Sequence, residues 1–287
     1  TTGVKRKNHY ISRCYQRNFA DPVGSENIFC FRRTYPRWVP KSSKGIGWLQ
    51  NLYTMIDEAG TETDQFEDFL QSIETEAAPV LQRCGASPQS ISDDDKVSLA
   101  YFLALLVSRS PRCINFASDV ASKIVMKVID STTESDRRAV EEATGIAFPA
   151  HVDWNKFTLT VSKHTILAGS LEFAQVVARK LLDLTWTFLV TTDDCPFITT
   201  DWPALITSRD EHQIRCATLP ISSKVAVLVR HGGIDGLIQA PAPDVEKINL
   251  RSLFRARAFV LCRKDSFLGD QHLASWAATG SNDSAAC

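Results

Sequence analysis

Asp64, Glu67, Gln71 and Glu74 recur at three- and four-residue intervals. On a helix turning about 100° per residue, that spacing gathers them in one stripe. Carboxylates held this way can grip a guanidinium in a two-pronged hydrogen bond. One with a raised pKa can instead take a proton from an amine. A solvated helix face is the plainer reading of the same pattern. The six histidines, His9, His151, His164, His212, His231 and His272, show no metal-ligand spacing. Only His9 has informative company, in the run Asn8-His9-Tyr10-x-x-Arg13-x-x-x-Arg17-Asn18-Phe19.

The charge around these residues is uneven. Residues 1–48 hold Lys5, Arg6, Lys7, Arg13, Arg17, Arg32, Arg33, Arg37, Lys41 and Lys44, opposed only by Asp21 and Glu26. Residues 49–95 reverse the balance, with Arg83 the one cation among acids that run from Asp57 to Asp95. Two readings follow. The segments fold together and neutralise one another, or a basic surface for a polyanion lies beside an acidic pocket for a cation. Tyr10, Tyr15, Tyr35 and Trp38 interleave the cations, as aromatic residues do on many RNA-binding surfaces.

Other devices are missing from the sequence. It has no G-x-x-x-x-G-K-[ST] phosphate loop, no G-x-S-x-G elbow and no H-E-x-x-H helix, so neither a cofactor nor a metal is expected. The 8 cysteines are scattered, without a C-x-x-C pair, and read as reduced thiols. The longest strongly apolar run, Leu99 to Val107, falls well short of the roughly 20 residues a membrane span needs. The first ten residues lack the apolar core of a secretory signal. No membrane partner and a cytoplasmic location are therefore expected.

The elements that must position these residues follow from periodicity. Asp64 to Arg83 is a predicted helix, with Phe66, Phe69, Leu70, Ile73, Ala77, Val80 and Leu81 as its core face and Thr63 as its cap. Asp93 to Ser110 is a second helix, apolar on nearly every side and hence central, ended or kinked by Pro111. Further helices are expected over Cys113 to Ile129, Glu134 to Thr144, Leu171 to Asp183 and Val245 to Arg257. Strands are expected at Asn27 to Arg33, Trp48 to Met55, Trp186 to Val190, Phe197 to Thr200, Ile214 to Pro220, Val225 to Val229 and Ala258 to Cys262. Pro36, Pro40 and residues 42–47 mark a loop. The fold class is α+β, a helical middle packed on a mostly antiparallel β portion built from both ends of the chain. The expected organisation is one two-lobed domain over 1–268 and a flexible tail over 269–287.

The Asn8 to Phe19 run resembles the opening of the family called domain of unknown function 4238. Four further blocks match in order: Glu67-Asp68-Phe69 to Glu74, Leu99 to Pro111, Trp186 through Thr200-Asp201-Trp202-Pro203, and Leu219-Pro220-Ile221-Ser222. One branch of that family is similar to the fungal arginine-containing cyclodipeptide synthases. These take aminoacyl groups from charged tRNAs and close them into a cyclic dipeptide. The branch is associated with Asp-Asp-x-x-Glu. The nearest string here, Thr63-Asp64-Gln65-Phe66-Glu67, has threonine in the first acidic place.

The resemblance implies a transferase that joins arginine from arginyl-tRNA with an amino acid from a second charged tRNA into a cyclo(Arg-Xaa) diketopiperazine. His9, Glu67 and Arg109 are then the catalytic candidates, and Tyr10, Asp64, Glu74 and Asp201 the substrate-binding ones. Lys5, Arg6, Lys7, Arg13, Arg17, Arg32 and Arg33 would hold the tRNA. A covalent intermediate would need a nucleophile, with Ser12, Cys14, Ser108 and Thr200 as candidates, whereas direct aminolysis needs none. Two other classes fit the same charges. A metal-dependent nuclease or phosphodiesterase would hold Mg²⁺ on the acidic stripe, and a non-catalytic RNA-binding module would use the basic segment alone.

Overall fold

A computed structural model describes residues 4–57, 59–145, 161–192, 194–208, 213–263 and 270–279. The chain opens with β1 (Lys7–His9) and a single helical turn, α1 (Arg13–Gln16), followed by β2 (Asn27–Arg32) and β3 (Tyr35–Ser42). Short strands β4 (Trp48–Gln50), β5 (Met55–Ile56) and β6 (Glu62–Thr63) lead into the helices. These are α2 (Gln65–Ala86), α3 (Asp93–Ser108), α4 (Pro111–Ser131), α5 (Glu134–Thr144) and α6 (Lys163–Leu182). The C-terminal part holds β7 (Thr185–Val190), β8 (Thr199–Thr200), β9 (Leu205–Ser208), β10 (Ile214–Pro220), β11 (Val225–Arg230) and β12 (Gly236–Gln239). It ends with α7 (Ala242–Arg255), β13 (Phe259–Cys262) and α8 (Asp270–Thr279).

The fold is α+β. A five-stranded sheet runs β12-β7-β11-β10-β9, and a four-stranded one runs β3-β2-β13-β8. All pairings are antiparallel except β12 with β7. The second sheet takes β2 and β3 from one end of the chain and β13 from the other, so the β portion is built from both ends.

Helix α3 is central because its sequence leaves it no polar side. Leu99, Ala100, Phe102, Leu103, Ala104, Leu105 and Leu106 are all buried, packed between α2 and α6. Its start is fixed by a capping box in which Ser92 and Asp95 satisfy each other's backbone N–H. Pro111 does end this helix, and it opens the next one as the first residue of α4, with Ser110 as the cap. On the five-stranded sheet, Trp186 and Phe188 face the main core. Leu189 and Ala226 join Val245 and Ile248 of α7 in a separate cluster.

The structure departs from the sequence reading in several places. The expected loop around Pro36 and Pro40 is strand β3. It lies at the edge of its sheet, where a residue without a backbone donor is tolerated. Trp48 to Met55 is two strands, interrupted at Asn51, which adopts φ 54°. Helix α6 begins at Lys163, eight residues before the expected start, because the Ser162 hydroxyl caps it by accepting from the Thr165 N–H. Within the expected flexible tail, residues 270–279 form α8. Leu273 and Trp276 of that helix are buried against Phe31, Leu253 and Val260. A few apolar side chains suffice to dock a terminal helix when an uncovered sheet face awaits them.

No single helix among the described residues is long and apolar enough to cross a membrane.

Candidate functional site

The polar cluster forms where β1 and α1 meet α2 and the end of α3. Gly47 makes the first approach possible. Its carbonyl accepts the N–H groups of Tyr10 (2.8 Å) and Ile11 (3.2 Å). A Cβ on it would stand 2.9 Å from the Ile11 Cβ, and its φ is +66°, a region that suits glycine. The turn after His9 is thereby pinned against the chain entering β4.

Arg109 occupies the C-cap of α3 and is the largest charged side chain sealed in the core among the described residues, 1% exposed. Its Nη1 pairs with Glu74 Oε1 at 2.5 Å, and its carbonyl accepts the Tyr53 hydroxyl at 2.8 Å. Nε and Nη2 of Arg109 are buried without a partner. One oxygen of Glu74 is thereby committed to Arg109, and the side chain keeps 24% of its surface exposed.

Glu67 lies two helical turns before Glu74 on α2. Burial pushes its pKa up to about 7, Arg109 pulls it down and Glu74 adds to the rise. The Asn8 amide donates to its Oε2 at 3.4 Å. Asn8 is fully buried, and its own oxygen accepts the Tyr53 N–H at 3.0 Å, so one asparagine links β1, the chain before β5 and α2. His9 is held below its ordinary pKa by burial and by Lys7 and Arg13. Its Nε2 is buried and unpartnered. Cys14 sits beside the cluster with Sγ 2.8 Å from the Ser12 hydroxyl, and burial raises its pKa. Of the other candidate nucleophiles, Ser108 and Thr200 are buried and bonded to the Leu105 carbonyl and the Trp202 N–H respectively.

Asp64 is the residue before α2. It accepts the Lys5 backbone N–H through Oδ2 at 2.8 Å, while Oδ1 is buried without a partner. Asp201 stands apart, at the entrance to β13. Its carboxylate accepts the N–H groups of Arg257 (3.0 Å), Ala258 (3.1 Å) and Phe259 (3.5 Å). Burial nevertheless raises its pKa. Tyr10 feels this carboxylate, and burial is the main cause of its raised pKa.

The seven cations expected to hold tRNA all have contacts within the chain. Lys5 pairs with Asp68 at 2.7 Å and Arg6 with Glu62 at 3.3 Å, so part of the basic segment does fold against part of the acidic one. Arg13 and Arg17 both pair with Glu26. Lys7 donates to the Lys44 carbonyl and lies 4.5 Å from the Trp48 ring centre. Arg33 donates to the Trp276 carbonyl at 2.9 Å, and the charge of Arg32 lies near enough to Cys30 to offset part of the rise that burial causes in its thiol pKa.

Four residues singled out in the sequence, Glu67, Glu74, Arg109 and His9, lie close enough together to influence one another's charge. Sequence reasoning gave no role to Tyr53, or to Asn8 beyond its place in a motif. No local pattern marks a buried asparagine that braces three segments. Among the described residues no three His, Cys, Asp or Glu side chains converge where a metal ion could sit, which leaves the nuclease reading without a ligand set there. A cavity of about 1580 Å³ lies elsewhere, over the sheet face that carries Leu189.

A family model matches residues 7–266, and its description is protein of unknown function (DUF4238). The chain belongs to this family. No curated protein and no solved structure matches it.

Proposed function

We propose that the chain is a tRNA-dependent transferase of the cyclodipeptide-synthase type, joining arginine from arginyl-tRNA with a second tRNA-borne amino acid into cyclo(Arg-Xaa). Glu67 carries this reading, as a half-buried carboxylate whose pKa of about 7 suits a proton acceptor at neutral pH. The esters arrive activated, so aminolysis needs no nucleotide. The α-amine of one aminoacyl group attacks the ester carbonyl of the other. Glu67 takes the amine proton and returns it to the departing ribose oxygen. The free amine of the resulting dipeptidyl ester then attacks the remaining ester in the same way. Two C–O bonds break, two C–N bonds form, and both tRNAs leave with their hydroxyls restored.

The other residues divide the remaining work. His9, held below its ordinary pKa and therefore largely uncharged near neutral pH, can relay the proton. The positive charge of Arg109, which acts on Glu67 from within the core, would favour an oxyanion formed beside that carboxylate, and Glu74 positions Arg109. The unpaired oxygen of Asp64 is the natural acceptor for a substrate guanidinium that reaches into the cluster. The aminoacyl-tRNA partners and a cytoplasmic setting belong to this same reading.

Purified protein supplied with arginyl-tRNA and a pool of other charged tRNAs should yield a cyclic dipeptide by mass spectrometry. Turnover should rise as pH passes about 7, where Glu67 ionises. Glu67→Gln should lower the rate by about 100-fold or more. The same substitution has a stability readout. The folded pKa lies above the ordinary 4.5, so the native state binds the extra proton and stability falls as pH rises from about 4.5 to 7. Glu67→Gln should remove that slope from thermal melts. No cyclic product from any charged tRNA, or unchanged turnover in Glu67→Gln, would refute the reading.

A further inference from the structure

The 1580 Å³ cavity is bounded by α7, the first turn of α4 and the face of the five-stranded sheet that carries Leu189, Leu228 and Ile238. It is larger than the roughly 300–1,000 Å³ typical of a small-molecule pocket. Six cations line it: Arg112, Arg215, Arg230, Lys247, Arg251 and Arg255. All six are exposed, and none pairs with a carboxylate among the described residues. Asp244 is the single acidic residue in the described lining. The guanidinium of Arg112 lies 5.1 Å from the Trp202 ring centre, while Arg255 and the nearby Arg257 repel its charge.

Aromatic faces alternate with these charges. Phe116, Phe173, Trp202 and Phe254 all line the cavity, and Phe254 is 65% exposed. On α7, Lys247, Arg251 and Arg255 are four residues apart, so their stems recur every ~6 Å along one side of the helix. That spacing is comparable to the separation of successive phosphates in an extended strand. Unpaired cations in a row beside stacking platforms are the parts with which proteins hold unpaired nucleotides. A concave groove suits a thin polymer, whereas a membrane surface needs a face that can lie flat against it.

We propose that this cleft binds single-stranded nucleic acid, with the α7 cations on the phosphates and Trp202 and Phe254 stacking on bases. The inference does not require the transfer chemistry at Glu67. The probes are fluorescein-labelled RNA and DNA oligonucleotides of one sequence, about ten nucleotides long, read by fluorescence anisotropy with the full chain. Binding should weaken with salt. Arg251→Glu with Arg255→Glu should weaken it at least about tenfold, and Arg251→Ala with Arg255→Ala should lower the magnitude of the log–log salt slope by about 1.4, roughly 0.7 per lost phosphate contact. If the α7 charge reversals melt early, Arg215→Glu with Arg230→Glu on the sheet gives the same reading. Equal binding of both strands assigns recognition to phosphate and base faces, and preference for RNA adds the 2′-hydroxyl. Failure of either strand to bind at low salt, or wild-type affinity in both double variants, would overturn the proposal. So would tighter binding of polyglutamate or of phosphatidylserine vesicles. Oligonucleotide binding without any cyclic dipeptide would sustain the cleft and remove the transferase reading. Cyclic product from a protein that binds neither oligonucleotide would do the reverse.

Discussion

The N-terminal segment and the C-terminal cleft both carry dense positive charge, and they use it in opposite ways. Lys5, Arg6, Arg13 and Arg17 each meet a carboxylate, and Arg33 meets a carbonyl and the ring of Trp276. Around the cleft, Arg215, Lys247, Arg251 and Arg255 meet no described carboxylate. The N-terminal charges are conspicuous in sequence because few acids lie among them, yet tertiary partners neutralise them. The C-terminal ones are spread over residues 215–255 and assembled only by folding. Charge density along a chain therefore says little about charge available to a ligand.

Substitutions can sharpen or break this contrast. The largest effect belongs to Arg109, the extreme of the structural class. Arg109→Ala strands Glu74 beside the core and should lower unfolding free energy by about 3–5 kcal/mol, measured by urea titration. Glu26→Ala should have a smaller effect, about 1 kcal/mol, because its partners keep access to water. Its pKa is drawn down to about 2, chiefly by the Ser43 hydroxyl and then by Arg17 and Arg13. Its contribution is therefore present above about 4.5 and fades as pH falls toward 2. The difference between wild-type and variant melts should shrink over that interval. The smallest effects concern the outermost charges. Lys5→Ala with Arg6→Ala should remove below about 1 kcal/mol per pair, and Arg251→Ala with Arg255→Ala should stay within about 0.5 kcal/mol of wild type. If the first of these pairs weakens oligonucleotide binding more than the second, the contrast between the two regions is broken.

Much of the fold was legible because it rests on local period. The apolar circumference of α3 and most of the 3.6-residue face of α2 need no tertiary information, although Phe69, expected on that face, is exposed. The misreadings come where tertiary context decides. Prolines argue for a loop until the strand is known to lie at a sheet edge, and α8 reads as loose until Phe31 and Val260 offer it a surface. The same division holds at the candidate site. Helical spacing foretold that Glu67 and Glu74 share a side of α2. It could not foretell that Arg109 would claim Glu74, or that Asn8 would reach Glu67 from another strand. Lys247, Arg251 and Arg255 form an i, i+4, i+8 series that drew no notice in the sequence, because their isolation from acids depends on every element around them.

The docking of α8 bears on where the chain can be cut. The family match stops at residue 266, ahead of the helix that brings Trp276 over Phe31 and lets its indole N–H reach the Ala256 carbonyl at 3.0 Å. A protein trimmed at that boundary would present Phe31 and Leu253 to solvent as an adhesive patch, inviting self-association and rapid digestion of a product whose Glu67 cluster had lost nothing.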